Sequence, residues 1–371
     1  MAVIDRFLEK AVQAGASNIH IATGTPPLVR LHGDLIPISK DALTIETVRE
    51  LLFEILSAEQ RERLVNTRHE IEFSYATTSG LRFRVSVYRS RRGLDSNFHT
   101  IPSRIPTLRE LGLPQVVSNL VKNNNGLILV TGSSGCGKSS TLAALINLIN
   151  KTQERHVITV EDPVEFIHKN ERCMVNQREV GTHTHSFANA LRQALRADPD
   201  IILVGEMRDL ETISMAITAA ETGHLVLGTL HTLDASKTID RIIDVFPGNQ
   251  KNQIRSMVSE SLRGVICQQL IKAKSGKSLV LACEILLATP SVSNLIREGK
   301  TFQLPSVLQM NKGMGMQLMD DHLVELVKEG KIERDEAMVH AHDPKYFEET
   351  LTGQSKDPKQ TFQTSQIKLK P

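Results

Sequence analysis

Tryptophan is missing from this 371-residue chain, and 3 tyrosines accompany 11 phenylalanines. That leaves few stacking platforms for bases, which argues against a nucleic-acid partner. An excess of one charge is lacking too. With 44 basic against 42 acidic residues the net charge is +2, so no whole-molecule field draws the chain to nucleic acid or a membrane. The cysteines, Cys136, Cys173, Cys267 and Cys283, are far apart and form no C-x-x-C pair. This argues against a zinc ribbon, offers no disulfide framework and suits reduced thiols. No stretch approaches the roughly 18 consecutive apolar residues of a membrane-spanning helix. The opening "MAVIDRFLEK" mixes acid and base where a signal peptide would be apolar. The expectation is a cytoplasmic protein of ordinary globular composition, long enough for two domains.

Patterning supports two regions. Ile4, Phe7, Leu8 and Ala11 fall at helical spacing, and residues 18–22 and 26–38 read as strands with a turn at His32-Gly33-Asp34. Residues 44–66 read as helical, with a capping box from Ser57 to Gln60. Residues 70–77 and 82–90 alternate around Thr78-Ser79-Gly80 as a second hairpin. Residues 1–101 are thus expected to form an α+β domain with an antiparallel sheet. A linker follows over 102–122, holding Pro102, Pro106 and a capping box from Thr107 to Glu110. From 123 to 350 apolar strands alternate with helices, the pattern of a parallel sheet buried on both faces. Beyond Ala235 helices are expected to dominate, interrupted by 278–287, and the polar stretch 351–371 reads as a disordered tail.

The chemistry starts at "LILVTGSSGCGKSS". Gly132, Gly137, Lys138 and Ser139 stand at phosphate-loop spacing, after a strand and before a helix. Such a loop, Gly132-Ser133-Ser134-Gly135-Cys136-Gly137 leading into Lys138-Ser139-Ser140, turns backbone N–H groups inward at a helix N-terminus. Lys138 is expected to reach the β- and γ-phosphates, and the Ser139 hydroxyl to ligate magnesium. Three further strands end in polar motifs: Glu161-Asp162 after "ITV", Gly205-Glu206 after "IILV", and a strand bracketed by His224 and His231. Carboxylates at the C-terminal ends of such strands face a bound nucleotide, and the two histidines are candidate γ-phosphate sensors.

Taken in order, "GSSGCGKSS", "VEDPVE", "ILVGEMRD" and "GHLVLGTLHT" resemble the Walker A, Asp box, Walker B and His box of secretion ATPases. They are most similar to the PilT/PilU ATPases that power type IV pilus retraction and twitching motility. The resemblance implies a PAS-like N-terminal domain joined to a RecA-like ATPase domain. It implies Glu206 as activator of the attacking water and Glu161 with Asp162 as the carboxylates on the magnesium side. It implies ATP and Mg2+ as cofactors and a homo-hexamer in which one subunit's Arg84 and Arg92 reach its neighbour's ATP. The ring is expected to act on an inner-membrane pilus platform protein, peripheral to that membrane without inserting in it. Retraction is indicated over assembly by the lack of a tetracysteine element and by "NLIRE" at 294–298. Two departures stand out. His99 occupies a position where the retraction family has arginine, and Ser291-Val292-Ser293 alters the first half of the family's "AIRNLIRE". Alternatives that stay open are an accessory ATP-binding paralogue dependent on another retraction ATPase, a short assembly motor, and a nucleic-acid translocase.

Overall fold

The computed structural model describes residues 2–31, 34–67, 69–101, 104–276 and 278–353. The N-terminal elements are α1 (Val3–Gln13), β1 (Asn18–Ala22), β2 (Leu28–Leu31), β3 (Asp34–Pro37), α2 (Ile45–Ile55), α3 (Ala58–Glu62), β4 (Glu70–Ala76), β5 (Arg82–Ser90) and β6 (Gly93–Ile101). Helix α1 buries Ile4, Leu8 and Ala11 on one stripe, the spacing that put them there in sequence. Helix α3 starts at the capping box: Ser57 Oγ accepts from Gln60 N, and Gln60 Oε1 accepts from Ser57 N. The strands form a six-stranded antiparallel sheet in the order β3-β2-β1-β6-β5-β4. Its core gathers Ile19, Ile21, Phe83, Val85, Val87 and Phe98 with the helical residues Leu8, Val48 and Leu52. The central strand β6 has no expectation behind it in the sequence. Its inward positions include Ser96, whose hydroxyl donates to Ile21 O, so alternation of apolar residues is broken there.

The remaining elements are α4 (Val117–Leu120), β7 (Gly126–Gly132), α5 (Lys138–Thr152), β8 (His156–Glu161), β9 (Met174–Glu179), α6 (Phe187–Ala194), β10 (Ile201–Val204), α7 (Leu210–Glu221) and β11 (Leu225–Leu230). They continue with α8 (Ala235–Asp244), α9 (Lys251–Ser261), β12 (Leu262–Lys272), β13 (Leu279–Leu287), α10 (Pro290–Arg297), α11 (Leu304–Met310), α12 (Met319–Lys328), α13 (Arg334–His340) and α14 (Pro344–Thr352). The second sheet has seven strands in the order β13-β12-β7-β11-β10-β8-β9. Its β9, β8, β10 and β11 are parallel, and β12–β13 is an antiparallel hairpin. Strands β7, β10 and β11 are buried along their whole length, as unalternating apolar runs require.

The chain divides into two compact units. One holds the chain through Leu111 with Val121–Leu127 and Ser139–Thr229; the other holds Gly112–Leu120, Ile128–Lys138 and Leu230 onward. In the second, Ile271 and Ala282 of the hairpin pack with Met319, Leu323, Leu326 and Phe347.

Several expectations need correction. Strand β12 lies where helices were expected to dominate, and β9 was not foreseen. Helix α5 begins at Lys138 instead of 141, so Ser139 and Ser140 lie in its first turn. The Thr107–Glu110 box forms, with Glu110 Oε2 accepting from Thr107 N at 2.8 Å, yet only turns follow it. Residues 351 and 352 of the expected tail belong to α14, which ends on Gly353 at φ 75°. The turn at His32-Gly33, the start of the linker at 102–103 and the rest of the tail lie outside the described residues.

Candidate functional site

Strand β7 delivers the chain into the glycine-rich loop, and α5 carries it away. Gly132 has φ +139°, and a Cβ there would lie 2.3 Å from Gln268 O and 2.6 Å from Cys136 Sγ. Only glycine fits. Gly135 and Gly137 adopt φ 77° and 89°, the left-handed region that glycine enters without strain. Ser133, Ser134, Gly135 and Ser139 are exposed, whereas Cys136 is buried, with its thiol pushed up by burial despite nearby Lys138. Cys136 is thus a small buried side chain within the loop. Lys138 Nζ donates to Gly132 O and to Ser133 O, each at 2.8 Å, and stands 3.4 Å from His231 Nδ1. An ammonium can only donate, so His231 turns Nδ1 toward Lys138 as an acceptor.

A second cluster lies in the other unit, at the ends of β8 and β10. Glu161 closes β8. Its Oε1 accepts from Thr159 Oγ1 at 2.6 Å and from Gln177 Nε2 at 3.2 Å. Although part of the residue remains accessible, its carboxyl is surrounded by protein, and that burial pushes it up to about 7 against those two hydrogen bonds. Asp162 is raised as well, first by burial and then by Glu72, while Arg84 and Arg208 pull it down. Glu206 follows β10 and is held by the Arg208 guanidinium. The residue before it is glycine for a steric reason: a Cβ at Gly205 would lie 3.1 Å from Val160 O and 3.2 Å from Glu161 Cα. A side chain before Glu206 would therefore press on the β8 backbone, which would have to give by a few tenths of an ångström to admit it.

These motifs have known counterparts. The family model for type II/IV secretion system proteins matches residues 1–322. A type IV pilus retraction ATPase of Pseudomonas aeruginosa, PilT, is 47% identical over 93% of this chain and 99% of its own. PilU of the same organism, named a type IV pilus ATPase, is 37% identical over 91% and 88%. A crystal structure titled as the pilus retraction motor PilT with bound ADP superposes with a TM-score of 0.86. It shares 44% identity and covers 93% of this chain and 98% of the other. The chain belongs to the PilT/PilU family.

Against the expectations drawn from that resemblance, the structure separates several residues. His224 precedes β11 and His231 follows it, so a strand of roughly 20 Å stands between them. His224 closes the end of α7, with Nδ1 3.0 Å from Ala219 O. Arg84 projects from β5 onto carboxylates of its own chain, 2.6 Å from Glu72 and 3.7 Å from Glu165. For Arg84 to meet any other anion it would have to exchange those ion pairs. Arg92 is far from Arg84, in the turn after β5, where it packs over Gly24. His99 is the cross-strand partner of Arg84. Burial and Arg84 hold its pKa down against the opposite pull of Glu165, so it adds little positive charge beside the guanidinium.

Two residues escaped the sequence reading. Arg82 donates from both terminal nitrogens, to Glu165 O at 2.9 Å and Val164 O at 3.1 Å. Ser74 Oγ reaches Glu179 Oε2 at 3.2 Å, and the same oxygen accepts from Val164 N at 3.0 Å. Together they tie β4 and β5 to the segment that follows Glu161-Asp162. The run of arginines in "RFRVSVYRSRR" was the only available signal, and it does not say which arginine turns which way.

Proposed function

We propose that this chain is a magnesium-dependent ATPase motor that drives type IV pilus retraction by withdrawing pilin subunits. The observation that supports it most is the phosphate cradle: three glycines in positive-φ conformations with Lys138 folded onto Gly132 O and Ser133 O. A lysine seated on its own loop carbonyls needs only a side-chain rotation to exchange them for phosphate oxygens. Backbone N–H groups at the start of α5 receive the phosphates, and Ser133, Ser134 and Ser140 line the loop.

The residues present suit a magnesium ion. Ser139 is exposed in the first turn of α5, and Glu161 and Asp162 are both held above the ordinary carboxylate range, first by burial and then by neighbouring carboxylates, Glu179 among them for both. A cation beside them would favour their charged forms. Among the described residues no group of three or more His, Cys, Asp or Glu side chains could hold a metal by itself. This suits magnesium, which keeps several waters and binds through one or two protein oxygens and the substrate phosphates. When bound, the ion would neutralise charge on the phosphates. Glu206 would orient and deprotonate the attacking water once Arg208 releases it, and His231 would contact the γ-phosphate. Arg84 would stabilise charge on the transferred group, delivered across a subunit interface in a homo-hexamer.

Coupling to work would follow from rotation of the N-terminal domain (1–101) against the ATPase domain (123–350) about the 102–122 linker. The partner would be an inner-membrane platform protein; among the described residues no helix is long and apolar enough to cross a membrane. The neutral His99 beside Arg84 is what an accessory paralogue would explain. Phosphate release by the purified protein and by Glu206→Gln, with ATP binding measured for both, separates the readings. Turnover reduced about 100-fold or more in the variant with binding retained supports the motor. Binding without turnover in the unsubstituted protein supports the accessory reading.

A further inference from the structure

Glu284 lies in the middle of β13, the one charged residue of "LVLACEILL", and is 5% exposed. Its cross-strand partner is Cys267, itself fully buried. Glu284 Oε1 accepts from Ala235 N at 2.8 Å, and Oε2 lies 3.4 Å from Met319 N. Those nitrogens belong to the first residues of α8 and α12. Helix α12 has no side-chain cap of its own, because Leu318 stands at its N-cap position. One carboxylate therefore serves two helix starts, where unpaired N–H groups and the helix dipoles favour negative charge.

The start of α8 leads back to the nucleotide loop within four residues. Thr238 Oγ1 donates to Asp234 O at 2.7 Å, which leaves Thr232 Oγ1 to donate to Thr238 Oγ1 at 2.6 Å. Asp234 caps the helix by accepting from Lys237 N at 2.7 Å. The segment from His231 to Ala235 is thus held at Lys138, at Thr238 and at Glu284. Burying a carboxylate in an apolar strand is costly. Here burial, with Asp234 and Asp320 adding to it, pushes Glu284 up to about 7 against the hydrogen bonds from Ala235 and Met319. Lys237 on α8 and the thiols of Cys267 and Cys283 are the other titratable groups within its electrostatic reach.

We propose that Glu284 is a positioning residue for ATP turnover: by tying the first N–H groups of α8 and α12 to one carboxylate, it fixes the 231–235 segment and hence His231 against Lys138. The proposal rests on the reading of His231 as the γ-phosphate contact. Glutamine at 284 keeps the shape but puts an NH2 donor against one of the two N–H groups, so that helix start is released. A displacement of about 1 Å at His231 is enough to slow the chemical step markedly.

The test is a double-mutant cycle in the full-length protein, with kcat and KM for ATP and thermal unfolding measured for every member. Glu284→Gln and Thr238→Val are each made with and without His231→Ala. Glu284→Gln alone is expected to lower kcat about tenfold and leave KM within about threefold. In the His231→Ala background it is expected to cost less than about twofold more, and Thr238→Val to follow the same pattern with a smaller loss. Losses that multiply independently in the two backgrounds overturn the proposal, as does a lowered melting temperature with kcat unchanged. If His231→Ala alone turns over normally, the sensor reading fails. The proposal then falls with it, and the single variant tells that case from independent losses. Should Glu284→Gln not fold, Thr238→Val decides the question in the same cycle.

Discussion

Glu161→Gln should make the protein more stable at alkaline pH while disabling it. Burial lifts the Glu161 carboxyl from the ordinary 4.5 to about 7. Between those values the folded protein holds a proton that the unfolded chain has released. Folding stability conferred by that proton is present at about pH 5 and is lost as pH rises toward about 8. Roughly 2.5 pH units at about 1.36 kcal/mol each make the charged form about 3 kcal/mol costlier folded than unfolded. Glutamine does not titrate, and its carbonyl oxygen can accept from Thr159 Oγ1 and Gln177 Nε2 as Oε1 does now. The stability difference between the variant and the unsubstituted protein should therefore move by roughly 2–3 kcal/mol in favour of glutamine between about pH 5 and about pH 8. Glu284 carries a similar shift, but both proteins share it and it cancels in the difference. The assay is equilibrium urea unfolding followed by circular dichroism, at several pH values, without nucleotide or magnesium. A difference that stays constant with pH refutes the reasoning, because it would mean that Glu161 is already satisfied as an anion.

Further tests reach the loop and the N-terminal sheet. Gly132→Ala should abolish binding of a fluorescent ATP analogue, since its Cβ would fall 2.3 Å from Gln268 O, a backbone atom that cannot swing aside. Retained binding would show that the loop shifts instead. Arg82→Ala leaves the carbonyls of Val164 and Glu165 without their guanidinium donors, at about 1–3 kcal/mol, and amide hydrogen exchange at residues 164–166 should accelerate about tenfold or more.

How far the sequence could be read depended on whether each residue's role is local. The phosphate loop was legible because its glycines, lysine and flanking strand are contiguous, and Ser57–Gln60 because a capping box spans one turn. Strand β12 was not. It follows α9 at once, with Ser261 leading directly into Leu262, and the nearest glycine, Gly264, lies inside the strand and does not separate it from the helix. Strand β9 buries only Val175 among its six residues, so an edge strand carried almost no apolar signal. The ion pairs of Arg84 join residues brought together by strand register, β4 to β5, and by the packing of β5 on the segment after β8; no spacing within one element encodes them.

Glu284 falls between these cases. An acid alone in an apolar strand is a visible anomaly in "LVLACEILL", and the cost of burying it implies a partner. What the sequence cannot supply is that the partners are two backbone N–H groups, 49 residues before it and 35 after it. Backbone donors leave no trace in side-chain identity. The same holds at Gly205, whose lack of a side chain has its reason in the β8 backbone, 3.1 Å from where a Cβ would lie. In both positions the residue type records the conflict, and only the fold shows what resolves it.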